Sequence, residues 1–397
     1  MKVKKISYFD LYGIITFLVM CITMDLSFTW IIPKSLTWIL AIASSSVLLF
    51  TFRNLKTSNS NILLCFIFGI ICFIMIFINP GLSRLLSLFS LWIGACTIIL
   101  LPTHNKQRLL SIFTTGTVII VAISLVGWLL FTLGVPLPHS PLIVHENGFH
   151  RLYNYYFFVV SENTQFQLFP RFSSMFLEPG QLATPCVFLI FANNLNFKSP
   201  KIIILLIAVL LSFSLVGYGI LIGGLLLYSF FVLKRHRILI TSSLLLLLFT
   251  FTVFLIKIEN QNNPIYTFII SRLKYDEEKG ISGNNRTTEY FDYKYKRVMS
   301  SSDKYLGIAR EIDRNNDWTA NTSGIKKFIV LYGLVNLLLL SIFFLKLLKD
   351  NWCINSIVFF IIVLVGFIPR SMLLSSYWLF ICLTAVPVLK WQTSLNK

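Results

Sequence analysis

Pro170 to Gln181, PRFSSMFLEPGQ, sets Arg171 and Glu178 seven residues apart immediately before an apolar run. A guanidinium holds phosphate oxygens through paired hydrogen bonds. A carboxylate beside it can orient that guanidinium or take a proton from an attacking hydroxyl. Pro179 lacks an amide donor, favours an extended Glu178, and suits the first position of a following helix. That places Glu178 near a helix cap, with Gly180 beside it, where free amides and dipole favour an anionic ligand or the carboxylate itself. Two plainer roles compete: Glu178 as a cap, and Arg171 as an interfacial anchor.

A second charged stretch shifts the balance towards chemistry. Residues 258–326 contain Arg272, Arg286 and Arg310, and GISGNNR puts Gly280 and Gly283 just before Arg286, where flexible backbone permits close approach to a ligand. Arg171, Arg286 and Arg272 acting together would hold a diphosphate. Arg151, Arg310, Asn321 and His145, beside Glu146, are further candidates for substrate contact. Taken singly, an arginine here more often pairs with acids such as Asp276, Glu277 and Glu278. The histidines at 139, 145 and 150 match no tight zinc spacing, so neither a metal nor any other cofactor is expected. GxSxG, Walker and GxGxxG contexts are missing from the sequence.

These residues sit in a chain built for a bilayer. The 397 residues are 56% hydrophobic, with mean hydropathy +0.77. About twelve runs approach the ~20 residues needed to cross hydrocarbon as helices. They fall near 8–32, 35–52, 61–79, 84–102, 109–134, 180–197, 201–214, 216–233, 238–257, 327–346, 354–369 and 372–389. The join at LSFSLVGYGILIGG is the least marked, offering Ser and Gly but no charged turn. The chain therefore divides into N-terminal membrane helices (1–134), a first long loop (135–179), central helices (180–257), a large loop (258–326) and C-terminal helices (327–397). The seven cysteines lie in or beside apolar runs and imply no disulfide framework.

The net charge of +18 is a topology signal. Lys2, Lys4, Lys5, Arg53, Lys56, Lys106, Arg108, Lys198, Lys201, Lys234, Arg235, Arg237, Lys346, Lys349, Lys390 and Lys397 fall on alternate, short connections. The positive-inside rule makes that face cytoplasmic, both termini included, and puts the two long loops outside. Since the charge is accounted for in this way, a nucleic-acid partner is not expected. Within the first loop, YNYYFFVV suits a strand or a short interfacial helix. In the second, Phe291, Tyr295, Val298 and Met299 recur at helical spacing, as in an amphipathic helix on the bilayer surface.

RFSSMFLEPGQLA, then LLSFSLVGYGILIGGLLL, then a large outer loop with an arginine and YLGIAR, resembles bacterial O-antigen and capsule polymerases of the Wzy type, over roughly residues 165–335. The resemblance implies an all-α polytopic membrane protein of the glycosyltransferase C fold class in the bacterial inner membrane. It implies polymerisation of undecaprenyl-diphosphate-linked oligosaccharides, with membrane lipid around the protein and a chain-length regulator and a flippase as further partners. By position, Arg171 and Glu178 match that family's arginine and acid before the mid-chain span, and Arg286 the arginine early in its large loop. Related O-antigen ligases carry a histidine late in that loop; this chain has none after His236. A flippase of the same lipid-linked sugars is the rival outside the enzyme class, but it would carry charge within its spans and short loops.

Overall fold

Apolar runs punctuated by serine, proline and glycine become helices throughout the described residues. The computed structural model describes residues 7–51, 57–144, 151–162, 170–232, 275–276, 280–281, 288–311, 324–369, 372 and 374–395. Its helices are α1 (Tyr8–Thr23), α2 (Lys34–Thr51), α3 (Asn59–Ile78), α4 (Leu82–Leu100), α5 (Thr103–Thr132), α6 (Pro179–Ala192), α7 (Pro200–Leu211) and α8 (Leu215–Phe231). They continue with α9 (Glu289–Ser300), α10 (Ile325–Asp350), α11 (Ile354–Phe367) and α12 (Ser376–Leu395). The expected spans at 35–52, 61–79, 84–102, 109–134 and 327–346 coincide with long helices; the others on described residues overlap helices, 8–32 ending as α1 at Thr23, and the stretch 238–257 lies outside the described residues. Even the least marked join is a break: α7 stops at Leu211, and Ser214 caps α8 by accepting from Gly217 N.

Five helices, α2 to α5 and α10, are long and apolar enough to cross a membrane. Their outer faces require one. On α3, Phe66, Phe73 and Phe77 recur along one side and are 65–72% exposed, an apolar face that water would penalise and lipid accepts. The chain is an all-α membrane protein. At its centre α6 is buried from Gly180 to Ala192, packed among α7, α8, α11 and α12. A helix apolar on every side belongs in such a position.

The connections sort to two ends. At one, Ser27 N donates to Met175 O, Asn79 Nδ2 to Ala309 O and Trp128 Nε1 to Pro170 O, so both long loops meet the α1–α2 and α3–α4 connections there. At the other, Arg108 pairs with Asp10 at 2.5 Å and Lys346 with Asp350 at 2.6 Å, gathering the basic short connections.

The first loop forms a small antiparallel sheet of β1 (Ile143–Val144), β2 (Arg151–Asn154) and β3 (Val159–Ser161), so YNYYFFVV is a strand, a turn and the start of a strand rather than a helix. Tyr156 turns the hairpin at φ 67, and Phe158 packs on Phe131 of α5. The amphipathic helix of the second loop is α9, with one correction. Its apolar face is not spread on lipid: buried Phe291 and Val298 pack with Ile308 and Val330 of α10. A protein groove covers that face because Ile308 and Val330 are brought beside it by the chain's return into α10. The pair β4 (Tyr275–Asp276) and β5 (Gly280–Ile281) completes the described strands.

Candidate functional site

The segment 170–178 is non-helical yet almost wholly interior: Phe172, Ser174 and Phe176 are each no more than 1% exposed. Irregular backbone inside a membrane protein persists only where protein satisfies its polar groups. Here neighbouring elements do so. Trp128 Nε1 of α5 donates to Pro170 O at 3.2 Å, Val159 N to Ser174 O at 2.9 Å and Ser173 Oγ to Val159 O at 3.0 Å. Ser174 takes a left-handed φ of 53, and its Oγ donates to Ser124 Oγ of α5 at 2.7 Å. The rings of Trp128 and Phe172 meet edge to face at 5.8 Å. The loop is thereby fixed to α5, β3 and the α1–α2 connection.

The loop's two charges stand at the ends of two antiparallel helices. Phe172 N donates to Leu211 O at 3.0 Å, which brings Arg171 over the C-terminus of α7. Arg171 Nε donates to Ser212 O at 3.2 Å and Nη2 to Phe213 O at 3.0 Å. A cation there satisfies carbonyls the helix leaves open and meets the negative end of its dipole. Tyr218 of α8 lies within electrostatic reach of the same guanidinium. Glu178 is the N-cap residue of α6, extended at φ −136, ψ 144, with Pro179 in the first turn. Its side chain does not bond the amides of its own helix, so simple capping does not account for it. The carboxylate stands at the positive end of the α6 dipole.

Helix length sets the depth of this arrangement. At 1.5 Å per residue, the 14 residues of α6 and 12 of α7 span about 21 and 18 Å, against ~30 Å of hydrocarbon. Each helix of the α6–α7 hairpin is therefore shorter than the hydrocarbon is thick, and Arg171 and Glu178 mark one end of the hairpin. One turn beyond Glu178, Gln181 is 8% exposed, and its Oε1 has no hydrogen-bond partner among the described residues. Sequence reading passed over Gln181, Ser212 and Phe213; only the Pro-Gly-Gln and Ser-Phe-Ser runs hinted at them.

Other candidates are placed differently. Gly180 is buried in the first turn of α6, its carbonyl accepting from Thr184 Oγ1 at 3.0 Å. Arg151 on β2 pairs with Glu162 at 2.9 Å, and both are partly exposed, which is the solvated ion pair. Arg310 is exposed on a 3-10 turn beside Asn79 and is not brought to the 170–178 loop by any described contact. His139 packs against Tyr153 and Tyr155, with Nδ1 2.7 Å from Ser140 O. His145, Arg272, Arg286 and Asn321 lie outside the described residues. No group of three or more metal-ligating side chains occurs among the described residues. Compared with known proteins, the chain matches no family model, no curated protein and no solved structure.

Proposed function

We propose that this protein is a polymerase of polysaccharide repeat units, a membrane glycosyltransferase using undecaprenyl-diphosphate-linked oligosaccharides at the outer face of a bacterial inner membrane. In this reading about twelve spans carry both termini on the cytoplasmic side. The observation that carries it is the buried 170–178 loop, which holds an arginine and a glutamate at the ends of a hairpin of short buried helices, with Gln181 Oε1, unpartnered among the described residues, one turn away. The resemblance of RFSSMFLEPGQLA and YLGIAR to Wzy-type polymerases adds the substrate class. A hydroxyl of the acceptor unit attacks the donor's anomeric carbon, the glycosidic bond to phosphate breaks, and undecaprenyl diphosphate leaves. Arg171 and Arg286 stabilise the charge gathering on that diphosphate, the kind of electrostatic term that dominates such reactions. Glu178 orients an arginine or accepts the hydroxyl proton.

The test is a gel of the glycan made by a strain lacking the protein. Loss of a polymerase leaves single repeat units and abolishes the long ladder. Loss of a ligase instead removes every attached unit while lipid-linked polymer persists. Loss of a flippase prevents both at the outer face. An unchanged ladder overturns the reading.

A further inference from the structure

Lys106, in the first turn of α5, lines a cavity of about 310 Å³ at the basic end of the molecule. The residue is 6% exposed, and its ammonium donates to Ile99 O at 2.9 Å. A buried ammonium with three donors and a full charge is not balanced by one carbonyl. No ion pair engages it among the described residues. The sequence explains why. Among the described residues, the acids at that end are Asp10 and Asp350. Asp10 is held by Arg108 at 2.5 Å. Asp350 reaches the same cavity, but its carboxylate holds Lys346 at 2.6 Å and accepts from Ser60 Oγ, while Lys390 Nζ donates to its backbone carbonyl at 2.6 Å. Both carboxylates are committed to other cations.

The cavity's remaining polar lining suits an anion. Asn61 comes from the start of α3, whose own cap is Ser58, and Thr103 from the start of α5, which begins at Pro102 without a side-chain cap. The uncapped N-terminus of α5 thus faces the cavity beside the buried cation. Leu100, Leu347 and Leu383 supply apolar walls, as an amphiphile requires. We propose that this cavity binds a phosphate-class anion, supplied by the headgroup of an anionic membrane lipid or by inorganic phosphate. The site is separate from the 170–178 loop, and its test does not depend on the polymerase reading.

The experiment uses the full-length protein in nanodiscs of phosphatidylcholine, with or without phosphatidylglycerol, and in phosphatidylcholine with added inorganic phosphate. Native mass spectrometry counts retained lipid, and thermal unfolding reports stabilisation. The wild type should retain phosphatidylglycerol in preference to phosphatidylcholine. Lys106→Met should weaken that retention about tenfold, the scale of one lost charged contact. Stabilisation by phosphatidylglycerol alone identifies a lipid headgroup, and equal stabilisation by inorganic phosphate identifies the free anion. Should Lys106→Met fail to fold, Lys106→Gln, which removes the charge but keeps a donor for Ile99 O, takes its place. If neither probe is preferred, or if Lys106→Met retains phosphatidylglycerol as the wild type does, the proposal falls and Lys106 is balanced within the protein.

Discussion

Arg171 closes the end of α7 and, in the proposed reaction, also holds the leaving diphosphate. Arg171→Ala removes two hydrogen bonds from a charged donor to Ser212 O and Phe213 O. Such bonds contribute about 1.5–3 kcal/mol each. Ser212 is fully buried, whereas Arg171 is half-buried, so water replaces part of the loss. A destabilisation of about 3 kcal/mol follows, enough to lower the amount of folded protein. An inactive alanine variant therefore proves nothing about diphosphate binding, and Arg171→Lys is the informative change. Lysine keeps the charge at the C-terminus of α7 and restores one carbonyl bond, but as a point charge it lacks the planar fork. If Arg171 only closes α7, the lysine variant loses protein and keeps full activity per folded molecule. If it also holds the leaving diphosphate, activity per folded molecule falls about 10²–10³-fold, the range for deleting one aligned donor to a developing anion. Immunoblots of membranes give the amount of protein, and the glycan ladder gives the activity. A lysine variant with a wild-type ladder per molecule would falsify the catalytic role of Arg171.

Three further outcomes follow from named contacts. Glu178→Gln should keep wild-type protein levels, because an amide oxygen still accepts hydrogen bonds, yet lose most of the ladder; an intact ladder would return Glu178 to a structural role. Gly333→Ala should cost about 3–5 kcal/mol, since φ 75 disfavours a side chain and an added Cβ would lie 2.2 Å from Tyr305 O. Gly134→Ala, at φ 80 with nothing within 4 Å, should cost only about 1–2 kcal/mol; equal unfolding temperatures in nanodiscs would sink this argument. Reporter fusions after residues 150 and 300 should report the outer face, and those after 56, 106 and 235 the cytoplasm. A cytoplasmic signal at 300 would overturn both the topology and the candidate site.

The parts legible in sequence were those set by local physics. Apolar run length located the helices, and Pro179 after Glu178 located the start of α6, because proline restricts the residue before it whatever surrounds it. The 3.6-residue recurrence of Phe291, Tyr295 and Val298 found α9, but not what covers its face. Periodicity marks an apolar stripe and is silent on whether lipid or Val330 lies against it. Arg171 could be singled out, while its partners could not: Ser212 and Phe213 are 41 and 42 residues away, and no local rule connects a loop arginine to the C-terminus of a later helix. Lys106 looked like one more positive-inside charge. Its burial is a tertiary fact, produced where α3, α5, α10 and α12 converge.

YLGIAR shows how a loose sequence element can hold a loop to the bundle. α10 is broken at Gly333, where φ 75 and ψ 173 leave the helix. The break strands backbone groups that an unbroken helix would pair, and Tyr305–Ile308 supplies replacements. Val335 N donates to Tyr305 O at 3.1 Å, and Ile308 N donates to Val330 O at 2.8 Å. The two strands of backbone approach so closely that a Cβ on Gly307 would lie 2.5 Å from Leu331 O. Only glycine fits on both sides of that contact. Asn336 Nδ2 donates to Tyr332 O across the break, and Arg84 of α4 donates to Tyr332 Oη at 2.6 Å. The same region receives α9, through Phe291 and Val298 on Val330 and through Asp292 paired with Lys326 at 2.9 Å. The N-cap of α9 is Thr288, two residues after Arg286 in sequence. A break in one membrane helix thus anchors the loop element on both sides of its turn. That anchoring is what a reaction shared between Arg171 in one loop and Arg286 in the other would require, since two arginines can hold one diphosphate only if their loops keep a fixed relation.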